Sequence, residues 1–87
     1  MIRFGDHASV PRDHELPSER VYREIRERII SGDYQPGSQL PTVGELAESF
    51  SVSRATVVKA MKQLQADGYV VSRARWASFV SDNPPKA

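Results

Sequence analysis

LPTVGELAESFSVSRATVVKAMKQL, residues 40–64, decides the fold. It reads as two short helices separated by a tight break. Thr42 with Glu45 three residues on makes a Thr-x-x-Glu capping box, and Pro41 blocks helix upstream of it. Leu46, Ala47 and Phe50 then recur at helical spacing. Ser51-Val52-Ser53 ends that helix, and Ser53 is a natural N-cap for the next. Val57, Ala60, Met61 and Leu64 fall at i, i+3, i+4 and i+7, the spacing of a buried stripe. Asp67-Gly68 stops the second helix, with Gly68 free to take the left-handed conformation.

Two helices joined by a turn of three or four residues form a helix-turn-helix. The opening turn of its second helix faces base edges in the major groove. Here that turn carries Arg54, Ala55, Thr56 and Val58, followed by Lys59 and Lys62. The same short pattern also suits an ordinary helical hairpin in a small all-α domain. Charge separates the two. The whole chain of 87 residues has a net charge of only +1, but distribution matters more than the sum. Residues 54–76 hold Arg54, Lys59, Lys62, Arg73 and Arg75 against Asp67 alone, a local balance of +4, while residues 34–53 hold only Glu45 and Glu48. A phosphate-binding face concentrates positive charge in this way.

Upstream, residues 18–31 read as a first helix that opens at Pro17 and is capped by Gly32. Val21, Ile25 and Ile29 form its buried row, widened by Tyr22 and Ile30. Glu19–Arg23 and Glu24–Arg28 stand at i,i+4 in the favourable order, so its charges read as a solvated face. Residues 33–40, DYQPGSQL, are turn chemistry. Pro36-Gly37 suits the centre of a type II turn, and Gln39-Leu40 suits a short edge strand. Residues 1–16 show no periodicity and contain Gly5 and Pro11; they read as a flexible arm. In it Arg3 and Arg12 are weak candidates for phosphate contact. His7 and His14, beside Asp6 and Asp13, lack the fixed geometry of a metal site, so no metal is expected.

Downstream, Tyr69, Val70 and Val71, and then Phe79 and Val80, have high β-propensity. They predict a two-stranded hairpin with a loop over residues 73–77, whose tip carries Arg73, Arg75 and Trp76. Asn83-Pro84-Pro85 ends regular structure. The fold class expected is therefore mainly α with a small β-hairpin: a winged helix-turn-helix of three helices plus a wing. It spans residues 17–81, with a tail over 82–87.

These residues resemble the N-terminal DNA-binding domain of the GntR family of bacterial transcription regulators. The resemblance runs in order through Ile29 with Gly32, Pro36-Gly37, Leu40-Pro41, Glu45-Leu46-Ala47, Val52-Ser53-Arg54, Thr56-Val57, Ala60, Leu64, Gly68 and Phe79-Val80. It implies a winged helix that binds a palindromic double-stranded DNA operator as a dimer, as a repressor. Arg54 matches the arginine that opens the family's recognition helix, and Thr56 matches a threonine that contacts phosphate or base. Gly44 and Val58 stand where two further arginines are expected, and Arg75 and Ala77 replace the glycines of the wing. The fold residues are kept and the readout residues are changed, so a different operator follows. An exposed Val58 suits a thymine methyl. GntR regulators also carry a C-terminal effector-binding domain. This chain stops shortly after the wing, so it is either a stand-alone reader or a domain of a longer regulator.

The candidate DNA-contacting set is thus Thr42, Ser53, Arg54, Ala55, Thr56, Val58, Lys59, Lys62, Arg73, Arg75 and Trp76. Five basic residues predict a salt dependence of log K against log salt with a slope of roughly −4 to −5 per protomer. With most apolar positions committed to one small core, a weak homodimer strengthened on DNA is expected, with no effector site in this chain. The alternative function is a winged-helix protein-interaction module anchored by Trp76, since exposed Trp is enriched at interfaces. An enzyme is not expected: there is no glycine-rich phosphate loop and no cysteine, and both histidines lie outside the predicted fold. No cofactor is implied. No apolar run approaches the roughly 20 residues of a membrane span, and no secretory signal opens the chain, so a cytoplasmic protein is expected.

Overall fold

The computed structural model describes residues 14–74 and 77–85. Arg3, Arg12, His7, Arg75 and Trp76 lie outside the described residues, and so do most of the N-terminal arm and the last two residues of the tail. Three helices and a hairpin follow in order: α1 (Pro17–Ser31), α2 (Val43–Phe50), α3 (Arg54–Ala66), β1 (Val70–Ala74) and β2 (Ala77–Val80). This is a winged helix-turn-helix, the fold class expected. No helix among the described residues is long and apolar enough to cross a membrane.

Each helix starts and stops where its terminal chemistry dictates. The Thr42 hydroxyl accepts from the Glu45 amide at 3.1 Å, and the Glu45 carboxylate accepts from the Thr42 amide at 2.9 Å. Orphan amide donors at the start of α2 are thereby satisfied. Ser51, at φ 57°, ends α2 in the left-handed region. The Ser53 hydroxyl then accepts from the Thr56 amide at 3.1 Å and opens α3. Gly37, at φ 81°, sits in a turn closed by the Ser38 amide on the Gln35 carbonyl at 3.0 Å, as the Pro-Gly pair requires.

β1 and β2 pair antiparallel with Val70 opposite Val80 and Ser72 opposite Ser78, and a register shift falls between Ser72 and Ala74. The expected edge strand is a single bridge, Gln39 to Phe79, reinforced by the Leu40 amide on the Ser78 carbonyl at 2.8 Å. Arg73 therefore stands within β1 rather than in the loop, because pairing continues to Ala74. The core joins Val21, Ile25 and Ile29 of α1 to Leu46, Ala47 and Phe50 of α2. Val57, Ala60, Met61 and Leu64 of α3 close it, with Leu40, Tyr69, Val70 and Val80. Ile30 does not widen the buried row of α1; it is exposed.

The charges of α1 follow their simple spacing only in part. The Glu19 carboxylate accepts from the Leu16 amide at 3.1 Å. Arg23 turns back to Glu15, with Nε 2.8 Å from a carboxylate oxygen, and forward to Glu27 at 3.8 Å. Glu24 is buried beside Arg20, so this face is not wholly solvated. Arg20 Nη2 donates to the Phe50 carbonyl at 2.7 Å, and its guanidinium stands 5.7 Å from the centre of the Phe50 ring. A cation from α1 thus meets the negative end of α2 and fixes the helix that precedes the tight break.

The C-terminus of α3 is held by α1. The Tyr22 hydroxyl donates to the Asp67 carboxylate, which also accepts from Gln63 Nε2 at 3.1 Å. The Tyr22 ring meets Tyr69 edge-on. Burial, and then the Asp67 carboxylate, push the Tyr22 phenol up to about 12 from an ordinary 10.0, and the Tyr22 hydrogen bond lowers Asp67. A phenol held above its ordinary value stabilises the fold fully below pH 10.0, and that contribution is lost as pH rises toward about 12. The Asp67 contribution has the opposite sign: it is present above the ordinary carboxylate range and lost as pH falls through it. Tyr22→Phe is expected to remove the alkaline part of this dependence. Melting temperature followed against pH checks this, and an unchanged alkaline limb in the variant would contradict it.

Candidate nucleic-acid interface

The interface is built on α3. One side of the helix is consumed by the core, since Val57, Ala60, Met61 and Leu64 are buried. The opposite side follows from a helical step of about 100° per residue. It carries Ala55, Lys59 and Lys62 near its centre, and all three are exposed. Arg54 and Val58 lie on one flank and Thr56 on the other. No carboxylate occurs from residue 54 to residue 66. The first, Asp67, is engaged by Tyr22 and Gln63. A cationic surface free of like-placed anions is what a phosphate backbone requires.

The opening turn of α3 is ordered by its cap. Besides accepting from the Thr56 amide, the Ser53 hydroxyl lies 2.9 Å from the Thr56 hydroxyl. Both side chains thus serve α3 itself. Thr42 serves α2 in the same way and remains exposed. Arg54 reaches back across the turn. A Cβ added to Gly44 would stand 3.2 Å from its Nη2 and 3.6 Å from its Cζ. The Arg54 guanidinium therefore lies against the first turn of α2.

Val58 is 39% exposed, the expected direction for an apolar groove contact. It lines a shallow groove between α3 and the hairpin together with Val43, Lys62, Gln65, Ser72 and Ser78. Lys59 stands on the other side, in a groove shared with Leu16, Ser18, Ala55 and Thr56. The start of α1 thus borders the same surface. Arg73 points elsewhere: its Nη2 is 3.4 Å from an Asp82 carboxylate oxygen, and its guanidinium stands 5.5 Å from the Phe79 ring centre. The structure brings Arg54, Ala55, Thr56, Val58, Lys59 and Lys62 onto one helix and sets Arg73 apart against the base of the hairpin.

Gln65, Ser72 and Ser78 were not in the set expected from sequence. Gln65 lies seven residues after Val58, hence on the same flank of α3. Ser72 and Ser78 share strand faces with Val70 and Val80, the faces turned toward α3. Both periodicities point to this groove.

Comparison with known proteins agrees with this geometry. The family model described as "Bacterial regulatory proteins, gntR family" matches residues 17–80. The chain is 35% identical over 77 residues to the probable rhizopine catabolism regulatory protein MocR of Rhizobium meliloti, covering 87% of this chain and 16% of that protein. It is 40% identical over 63 residues to a probable fructoselysine utilization operon transcriptional repressor of Escherichia coli, covering 72% of this chain and 25% of the relative. The chain therefore spans a quarter or less of the length of these relatives. Among solved structures, AraR(DBD) in complex with operator ORX1 superposes with a TM-score of 0.76 at 29% identity, covering 92% of this chain and 93% of that one. The NTD of AraR in complex with mutant ORR3 gives a TM-score of 0.73 at 33% identity, covering 76% and 94%.

Proposed function

Because the chain belongs to the gntR family of bacterial regulatory proteins, we propose that it is a sequence-specific, double-stranded-DNA-binding transcription regulator that acts as a repressor in the bacterial cytoplasm. The observation that carries this reading is the outward side of α3: exposed Ala55, Lys59 and Lys62, flanked by Arg54 and Val58, with no carboxylate from residue 54 to residue 66. A surface of this kind neutralises phosphates and offers side chains to base edges at the same time. Support for repression comes from similarity to the fructoselysine operon repressor. Support for an operator partner comes from superposition on AraR(DBD) in complex with operator ORX1.

In this reading Arg54 is the principal base or phosphate contact, Lys59 and Lys62 hold the backbone, and Val58 meets a thymine methyl. Selection of bound sequences from a random duplex pool tests the proposal. One enriched motif is the expected result, and its symmetry reports whether two protomers share a palindrome. On the selected site, Arg54→Ala is expected to weaken binding by ~1–3 kcal/mol, the range for one good base contact. Unchanged affinity in a folded variant would contradict that role.

Self-association is expected to be weak without DNA. Among the described residues, the exposed large apolar side chains Leu16, Ile30 and Val58 lie at the start of α1, at its end and on α3, so these three form no continuous patch. Sedimentation is expected to show a monomer at micromolar concentration and two protomers on a palindromic duplex. A tight dimer without DNA would oppose this.

A further inference from the structure

Gly44 is a costly residue where it stands. It occupies the first turn of α2, where glycine is a poorer helix former than almost any other residue. Among the described glycines, Gly32, Gly37 and Gly68 have left-handed φ and Gly44 does not, so α2 does not need glycine here for its backbone. What the missing side chain leaves is space, and Arg54 fills it. An added Cβ would stand 3.2 Å from Nη2, 3.6 Å from Cζ and 3.7 Å from Nε, so the Nη2–Nε edge of the guanidinium borders this one position. The hollow beneath is lined by Gly44, Glu45, Ala47, Glu48 and Val52 together with Arg54. The Glu45 carboxylate is occupied by its cap, and Glu48 is exposed.

Resting on the DNA-reading function proposed above, we propose that Gly44 is a specificity-determining position of this chain. By presenting no side chain, it seats the Arg54 guanidinium across the first turn of α2. It thereby fixes which operator base pair Arg54 reads. Gly44 touches no base in this scheme; it is a positioning residue acting through Arg54. An arginine held at a defined place loses less freedom when it binds than one that sweeps over the surface. An added Cβ at position 44 makes the guanidinium give way by a few tenths of an ångström, and a longer side chain competes with it for the same place and shifts its aim toward a different base pair or solvent.

The test is a two-residue cycle read on the selected duplex and on its single-base-pair variants. Wild type, Gly44→Ala, Gly44→Leu, Arg54→Ala and Gly44→Leu with Arg54→Ala are compared, each checked for folding by circular dichroism. Gly44→Leu is expected to weaken binding roughly 10-fold or more and to flatten preference at the same base pair that Arg54→Ala flattens. Gly44→Ala should do so to a smaller degree, while melting no lower than wild type. In the Arg54→Ala background, Gly44→Leu should change affinity less than about twofold, because coupled residues are not additive. A merely structural role for Gly44 would instead lower the melting temperature and add to Arg54→Ala. Unchanged affinity and base preference in folded Gly44→Leu, with Arg54→Ala still defective, overturns the seat and leaves DNA reading intact. If wild type enriches no duplex at all, DNA reading falls and the seat falls with it.

Discussion

Replacing Leu64 with alanine is expected to cost ~2–5 kcal/mol and to weaken DNA binding only as far as folded protein is lost. Leu64 is fully buried and closes the stripe by which α3 packs on the rest of the core. A domain of this size has roughly 4–10 kcal/mol of stability in all, by the usual amount per residue. Removing three carbon atoms from its centre therefore takes a large share. Melting temperature should fall by roughly 10 °C or more, since about 1 kcal/mol corresponds to 4–8 °C in a small domain. Val58→Ala, one and a half turns away on the exposed flank, should change stability by no more than about 0.5 kcal/mol while weakening binding. The contrast separates residues that build the reading helix from those that read. A drop of only a few degrees in Leu64→Ala would mean that α3 is not anchored by its stripe.

The second large effect is that of salt. Arg54, Lys59 and Lys62 are exposed on α3, and each phosphate neutralised contributes roughly −0.9 to the slope of log K against log salt. These three give about −3. Arg73 adds to this if it exchanges Asp82 for a phosphate. That exchange costs little, because the pair is exposed at 54% and 72% and such pairs contribute about 0–1 kcal/mol. A slope of roughly −3 to −4 per protomer is expected, a loss of roughly 60- to 250-fold in affinity from 50 to 200 mM salt. Asp82→Ala should leave Arg73 free and steepen the dependence. A slope near zero, measured by titration at several salt concentrations, would favour a protein partner over nucleic acid.

Local chemistry was legible in the sequence where both partners lie within one turn of chain. The Thr42–Glu45 box, the Ser53 cap and the Pro36-Gly37 turn have that property, and the buried stripe of α3 repeats at i+3 and i+4 along one helix. Contacts across the fold were not. Simple i,i+4 spacing pairs Glu19 with Arg23, yet Glu19 serves the Leu16 amide and Arg23 turns to Glu15. Nothing local to Arg20 announces that it meets the carbonyl of Phe50, thirty residues on. Arg73 reads as a loop residue from composition, but strand pairing carries it into β1 and sets it against Asp82. The same limit hides the seat at Gly44. A family resemblance marks that position as a missing arginine, and only the fold brings Arg54 across to it.

On the proposed function, the outward side of α3 is the surface that meets DNA. The most direct measurement follows backbone amide resonances of the protein during titration with its selected duplex. The largest shifts are expected at residues 53–62, with smaller ones at the start of α1 and along the groove lined by Ser72 and Ser78. Little change is expected on the far side of α1, around Glu27 and Ile30. Large shifts confined to α1 or to the hairpin, with residues 54–62 unmoved at saturating duplex, would contradict it.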